Sequence, residues 1–286
     1  MKITVAKSAG FCFGVNRAVE LVEQAARENS RVVTLGPIIH NRHAVDHFAK
    51  MGVGVIETPE QAQPGDTVVI RSHGVARRVQ QALEERGVQT VDATCPFVKR
   101  IHGIVSKAEE EGRLPVIIGT RSHPEVDGIA GWCSACQVFQ TPEELQEWAE
   151  NSGISPDLPI CMVCQTTSTE SLWKSCVKIA KKQFTNLKIF DTICKATESR
   201  QSEAADLSQI CQAMVVVGDA SSSNTGRLAM ICREHCDRVV LVDNASELQP
   251  DFFRGVIDVG VTAGASTPAW IIKEVNKTMS EITKVE

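Results

Sequence analysis

Three times along this chain a short β-branched strand ends close to a cysteine, and a helical pattern begins directly after it. TVDATCP (Thr90–Pro96) and KIFDTIC (Lys188–Cys194) both place Asp three residues before Cys, and the opening KITVAKSAGFC reaches Cys12. The spacing beyond each cysteine is equally regular. His40, His123 and Ser222 each lie 28 residues past Cys12, Cys95 and Cys194 respectively, which marks an internal repeat.

Between cysteine and loop, every copy follows the same grammar. Helical periodicity runs over Val15–Arg27 (Val15, Val19, Val22, Ala26), over Phe97–Glu111 (Val98, Ile101, Val105) and over the more polar Glu198–Cys211 (Ala204, Leu207, Cys211). Each helix leads to an apolar run, RVVTLG, LPVIIG or AMVVVG, of the kind buried on both faces of a parallel sheet. The loops that follow carry His40-Asn41, Ser122-His123-Pro124-Glu125 and Ser221–Thr225. A second helix and strand are expected next, closing in each copy with the similar phrases ETPEQAQ, QTPEELQ and DNASELQ. Further polar loops then carry His73, Thr166-Thr167 and Ser266-Thr267.

The expected fold is α/β: three similar parallel-sheet modules, 13–95, 96–194 and 195–286, in a pseudo-threefold arrangement around a central iron–sulfur site. The third module lacks a closing strand and the N-terminal segment 1–12 has no module before it, so that segment is expected to complete the third sheet. Ligands of open parallel sheets bind beyond the carboxyl ends of the strands, where the cysteines and polar loops all fall. Three thiolates suit a soft metal or an iron–sulfur cluster, and a cubane with three protein thiolates keeps one iron open. Loops rich in histidine, hydroxyl and amide groups, one of them entering a helix at Gly226, suit a phosphate or diphosphate, and no GxxxxGK[ST] is present.

Composition narrows the partners. A net charge of −5 excludes wholesale nucleic-acid binding, and no apolar run approaches the roughly 18 residues of a membrane span. No signal peptide precedes the first strand, so the cytoplasm is the expected location and the 11 cysteines are expected to be thiols. Two further cysteine pairs, Cys133/Cys136 and Cys161/Cys164, imitate a zinc site. Cys161 and Cys164 fall within one strand, however, where residues three apart point to opposite faces, so that pair cannot chelate one ion. Asp92 and Asp191 read as braces of strand ends, and Cys232 and Cys236 as core.

The ordered motifs AGFCFGV, VIRSHG, DATCP, GTRSHPEV, QTT, TICKAT, SSSNT and GAST resemble the 4-hydroxy-3-methylbut-2-enyl diphosphate reductase family over nearly the whole chain. The resemblance implies a [4Fe–4S] cluster on Cys12, Cys95 and Cys194. It implies diphosphate contacts from His40, His73, His123, Ser222, Ser223, Asn224 and Ser266, with Glu125 as proton source and Thr166 as its hydroxyl partner near the substrate alcohol. The implied reaction removes that hydroxyl reductively, giving isopentenyl and dimethylallyl diphosphate in the last step of the non-mevalonate isoprenoid pathway. Lys195 departs from the uncharged residue expected after the third cysteine. No GxGxxG follows a strand, so electrons are expected from an external donor such as ferredoxin or flavodoxin. The competing classes are an iron–sulfur redox-sensing regulator and a phosphosugar-binding module with inert thiols.

Overall fold

The computed structural model describes residues 1–285, with side chains for 1–282. In chain order the first stretch holds β1 (Lys2–Val5), α1 (Phe13–Glu28), β2 (Val32–Leu35), α2 (Arg42–Lys50), β3 (Gly54–Ile56), β4 (Thr67–Ile70), α3 (Arg77–Glu85) and β5 (Gln89–Asp92). The second holds α4 (Pro96–Glu110), β6 (Leu114–Ile118), α5 (Pro124–Ala130), β7 (Gln137–Phe139), α6 (Pro142–Asn151), β8 (Ile160–Cys164), α7 (Glu170–Gln183) and β9 (Leu187–Ile189). The third holds α8 (Lys195–Ile210), β10 (Ala213–Val217), α9 (Ser223–His235), β11 (Val239–Val242), β12 (Asp258–Ala263) and α10 (Ala269–Val285).

These strands make three four-stranded parallel sheets, ordered β3-β2-β4-β5, β7-β6-β8-β9 and β11-β10-β12-β1. The order is the same in all three. The strand of the first polar loop and the strand of the second lie side by side in the centre, and the cysteine strand is an edge beside the latter. The third sheet takes that edge from the N-terminus, with Lys2 opposite Asp258 and Val5 opposite Val261. Burial follows the position: β4, β8 and β10 are buried throughout, whereas β1, β5 and β9 are partly exposed. The centre strands therefore read as continuous apolar runs, and the cysteine strands as mixed ones.

Related phrases do not give the same local structure. QTPEELQ opens the ten-residue α6, whose Thr141 Oγ1 accepts from the Glu144 amide at 3.2 Å. ETPEQAQ and DNASELQ instead make single 3₁₀ turns, Pro59–Gln61 and Ala245–Glu247, because no apolar helical pattern continues them. On α1 the buried face is Val15, Ala18, Val22 and Ala25, so Val19 and Ala26 flank it.

The chain divides into two compact units. One holds Met1–Asn16, Ile39–Met51 and the chain from Lys195 onward; the other holds Arg17–Ile38 and Gly52–Cys194. In the first, Val215, Val217 and Val261 pack on Ile271 and Val275 from one sheet face, and Met214 and Val216 pack on Leu228 and Cys232 from the other. Helix α2 belongs to this unit. Its Arg42 guanidinium and His43 Nε2 (3.1 Å) both meet Asp243, and its His47 ring lies 5.5 Å from that of Trp270. In the second unit, Val116, Ile118 and Cys164 face Trp173 and Cys176, whereas Ile117 and Val163 face Ile101 and Val105. Burial holds His102 of α4 neutral by pushing its pKa down to about 4, and the ring stacks on Trp132 at 5.0 Å. Among the described residues no helix is long and apolar enough to cross a membrane.

Because β1 is an edge of the third sheet, deleting Met1–Ala6 strips a ladder from β12 and uncovers Ile3, which packs on the core. Losing one such side chain costs roughly 1.5–3 kcal/mol. Hydrogen exchange on the truncated protein should show lost protection in β10 and β12 and little change in β4 or β8. Equal loss in all three sheets would contradict the local role of β1.

Candidate active site

Each cysteine of the repeat leaves its strand and enters a helix: Cys12 precedes α1, Cys95 is the N-cap of α4, and Cys194 precedes α8. One backbone bond recurs at all three. The Cys12 amide donates to Ala265 O at 3.2 Å, that of Cys95 to Ser72 O at 2.9 Å, and that of Cys194 to Thr166 O at 3.0 Å. The three acceptors are the residues in or beside the second polar loop of each sheet, next to Ser266, next to His73, and Thr166 itself. Asp92 and Asp191 brace these turns, taking the amides of Thr94 (2.9 Å) and Ile193 (3.2 Å). Burial pushes the Asp92 carboxyl up, but the Lys99 ammonium at 2.5 Å and the Thr94 bonds outweigh it and hold it below the usual range.

In the unit that holds Cys95 and Cys194, a buried carboxylate stands beside this frame. Glu125 is 3% exposed at the start of α5. Its two oxygens accept from one residue, Oε1 from the Thr166 amide at 2.6 Å and Oε2 from the Thr166 hydroxyl at 2.8 Å. His123 caps the same helix, its Nδ1 accepting from the Glu125 amide at 3.1 Å, which leaves the ring proton to Nε2. The rings of His123 and His73 are 5.5 Å apart at a steep angle.

In the other unit the polar groups cluster at the N-terminus of α9. Ser222 caps the helix, and Ser223 and Asn224 form its first turn. Ser266 Oγ lies 3.4 Å from Ser222 Oγ and donates to His40 O at 3.0 Å, so His40 joins this cluster through its own backbone. Gly218 (φ 144°) and Gly264 make the floor; a Cβ on Gly264 would stand 2.2 Å from Thr225 Oγ1. Asn224 is 4% exposed, and neither its Oδ1 nor its Nδ2 has a hydrogen-bond partner among the described residues. A buried primary amide with both atoms unmatched costs on the order of 1–3 kcal/mol, and it is the mark of a polar ligand site.

The profile of the LytB protein family matches residues 3–280. This chain belongs to the LytB family. It is 40% identical to the 4-hydroxy-3-methylbut-2-enyl diphosphate reductase of Aquifex aeolicus over 98% of this chain and 96% of that one. It is 40% identical to the enzyme of the same name from Thermoanaerobacter sp., over 97% and 96%. A solved structure of (E)-4-hydroxy-3-methyl-but-2-enyl diphosphate reductase, "the terminal enzyme of the non-mevalonate pathway", superposes with a TM-score of 0.71 at 39% identity, covering 98% of this chain and all of that one. The Plasmodium falciparum reductase structure superposes with a TM-score of 0.90 at 24% identity, over 99% of this chain and 88% of that one, and shares the fold.

Against this LytB-family frame, several buried polar residues support the site from outside the candidate set. Arg200, 3% exposed on the polar α8, donates to Ser8 O (3.0 Å) and Gly10 O (2.8 Å) and so fixes the turn before Cys12. Glu203 accepts from the amides of Lys7 and Ser8. Gln165, fully buried, accepts from the Thr120 amide and donates to Thr167 Oγ1, which holds the loop that carries Thr166. The polarity of α8 is the one hint at Arg200; Gln165 opens the QTT motif, whose letters do not show what its amide holds.

Cys161, Cys164, Cys176, Cys232 and Cys236 separate from the half-buried trio by burial, whereas Cys133, Cys136 and Cys211 do not. Burial pushes the thiols of Cys161 and Cys164 up to about 11 and those of Cys176 and Cys232 up to about 12, which opposes the thiolate form a metal requires. Cys161 and Cys164 lie on opposite faces of β8, the latter in the core with Trp173.

The unmatched amide of Asn224 leads to a trade of stability against binding. Asn224→Leu, similar in size and without polar atoms, should raise the unfolding free energy of the ligand-free protein by about 1 kcal/mol or more. It should also weaken binding of an inorganic diphosphate probe measured by calorimetry. Lower stability together with unchanged binding would remove Asn224 from the ligand site.

Proposed function

We propose that this chain reduces (E)-4-hydroxy-3-methylbut-2-enyl diphosphate to isopentenyl and dimethylallyl diphosphate, with Cys12, Cys95 and Cys194 holding a [4Fe–4S] cluster. The donor set fits such a group. The three thiols occupy equivalent positions, each at a helix start where backbone amides favour negative charge, and each backbone is pinned by the same hydrogen bond. When bound, the cluster would supply Lewis-acid and two-electron redox chemistry, its electrons drawn from an external donor such as ferredoxin or flavodoxin.

The protein's own residues divide the rest of the work. Ser222, Ser223, Asn224, Ser266, His40, His73 and His123 supply hydroxyl, amide and ring N–H donors for the diphosphate. The first turn of α9 adds the partial positive charge of a helix start. Glu125 holds the proton for the departing hydroxyl, and Thr166, whose hydroxyl donates to Oε2, positions that carboxyl beside the substrate alcohol. The observation that carries this reading is the triple role of Thr166. Its amide and hydroxyl hold Glu125 while its carbonyl holds the Cys194 amide, so one residue ties the acid to a thiolate ligand.

Anaerobically purified protein supplied with a low-potential reductant should convert the substrate to the two products. Glu125→Gln should keep its iron and lose turnover by roughly 10²–10⁴-fold, the usual scale for a lost general acid. Replacing Cys12, Cys95 or Cys194 by Ser should remove most of the iron, while Cys161→Ser should retain it. Iron that stays in the trio variants, or a fully active Glu125→Gln, would overturn the assignment.

A further inference from the structure

The reaction leaves one thiol pair without a task. Cys133 and Cys136 sit in the turn that joins α5 to β7, both half-exposed, neither in a disulfide, with the exposed Ser134 and Ala135 between them. The turn is fastened from below. The Ser134 amide donates to Glu109 Oε1 of α4 at 2.5 Å, and its hydroxyl bonds the same oxygen. Cys133 Sγ donates to Ala130 O at 3.4 Å, and Cys136 packs against the core side of Ile117 and Val163. The two thiols also act on each other: Cys136 pushes the Cys133 thiol up, and hydrogen bonding from Cys133 draws Cys136 down. Among the described residues, no cysteine belongs to a group of three side chains able to share a metal ion.

The residue before the pair is tied to both neighbouring elements. The Trp132 indole N–H donates to Val75 O at 2.9 Å, its ring stacks on His102, and the Arg77 guanidinium lies 5.1 Å above it. Gly131 O accepts from the Arg77 amide, and a Cβ on Gly131 would stand 2.1 Å from that of Ala76. Bond formation in the turn would therefore act on a segment held on its N-terminal side, directly beside Trp132.

We propose that Cys133 and Cys136 form a reversible dithiol–disulfide redox site that exchanges with small disulfides of the glutathione class. The Cys136 thiolate attacks one sulfur of the incoming disulfide, forming a mixed disulfide and releasing one thiol. Cys133 then attacks the Cys136 sulfur, closes the ring and releases the second thiol. The protein pair loses two electrons and two protons, and the small disulfide gains them as two thiols. Trp132 senses the closure because its neighbour Cys133 is one end of the new bond.

The test is an anaerobic titration of the cluster-loaded protein in glutathione redox buffers, read by maleimide labelling and mass spectrometry. With oxidised glutathione in excess, the 133–136 segment should lose two hydrogens and both labels, and reduced glutathione should restore them, with bound iron unchanged. Tryptophan emission should shift in step in the native protein and stay constant in Cys133→Ser. That variant should also trap glutathione on Cys136 at least about tenfold more than Cys136→Ser traps it on Cys133, as the better thiolate requires. Persistent labelling of both cysteines, a bond to Cys161, equal trapping in the two variants, or an emission shift that survives in Cys133→Ser would overturn the proposal. None of these readouts depends on reductase turnover.

Discussion

A single backbone hydrogen bond, made three times, organises this protein. The amide of each conspicuous cysteine donates to a carbonyl of the loop beyond the neighbouring strand, Ala265, Ser72 or Thr166. That bond exists because the cysteine strand is an edge and its neighbour is always the strand of the second polar loop. A parallel pair puts both carboxyl ends at the same rim of the sheet, so loop and cysteine meet there with no long-range device. The chemistry then depends on what the loop carries next to its carbonyl: Ser266, His73, or Thr166 with its carboxylate partner.

The three copies share this frame and differ in what surrounds it. Around Cys194 and Cys95 the neighbouring groups are an acid, a hydroxyl and two imidazoles. In the unit of Cys12 they are hydroxyls and an amide at the start of α9. Equivalent loops of one repeat thus carry different chemistry, as the proposed substrate, a diphosphate at one end and an alcohol at the other, would require.

Most of this frame was legible from periodicity and spacing, for physical reasons. Buried parallel strands need continuous apolar runs, so LPVIIG and AMVVVG stand out, and the equal intervals to His40, His123 and Ser222 follow from strands and helices of matched length. The place of the N-terminal strand was legible too, because a sheet one strand short and a strand without a sheet imply each other. Helix α2 was not. It follows a first-module strand in sequence yet packs with the third sheet through Arg42 and Asp243, an ion pair between residues 201 apart that no local pattern encodes. The related phrases ETPEQAQ and QTPEELQ diverge in structure because a TPE start favours a first turn, but only continuing apolar periodicity makes a helix. The supporting roles of Arg200 and of Gln165, the first residue of QTT, stayed hidden because a buried polar side chain looks like a surface one until its partners are seen.

The central claim is that three thiolates from equivalent positions hold a cluster with one iron left for substrate. Mössbauer spectroscopy of the native, anaerobically reconstituted protein enriched in ⁵⁷Fe tests it most directly. The account predicts one iron environment distinct from the other three, and that environment alone should change when the diphosphate substrate is added. Four equivalent irons unmoved by substrate would contradict it, because they would require a fourth protein thiolate that this arrangement does not provide.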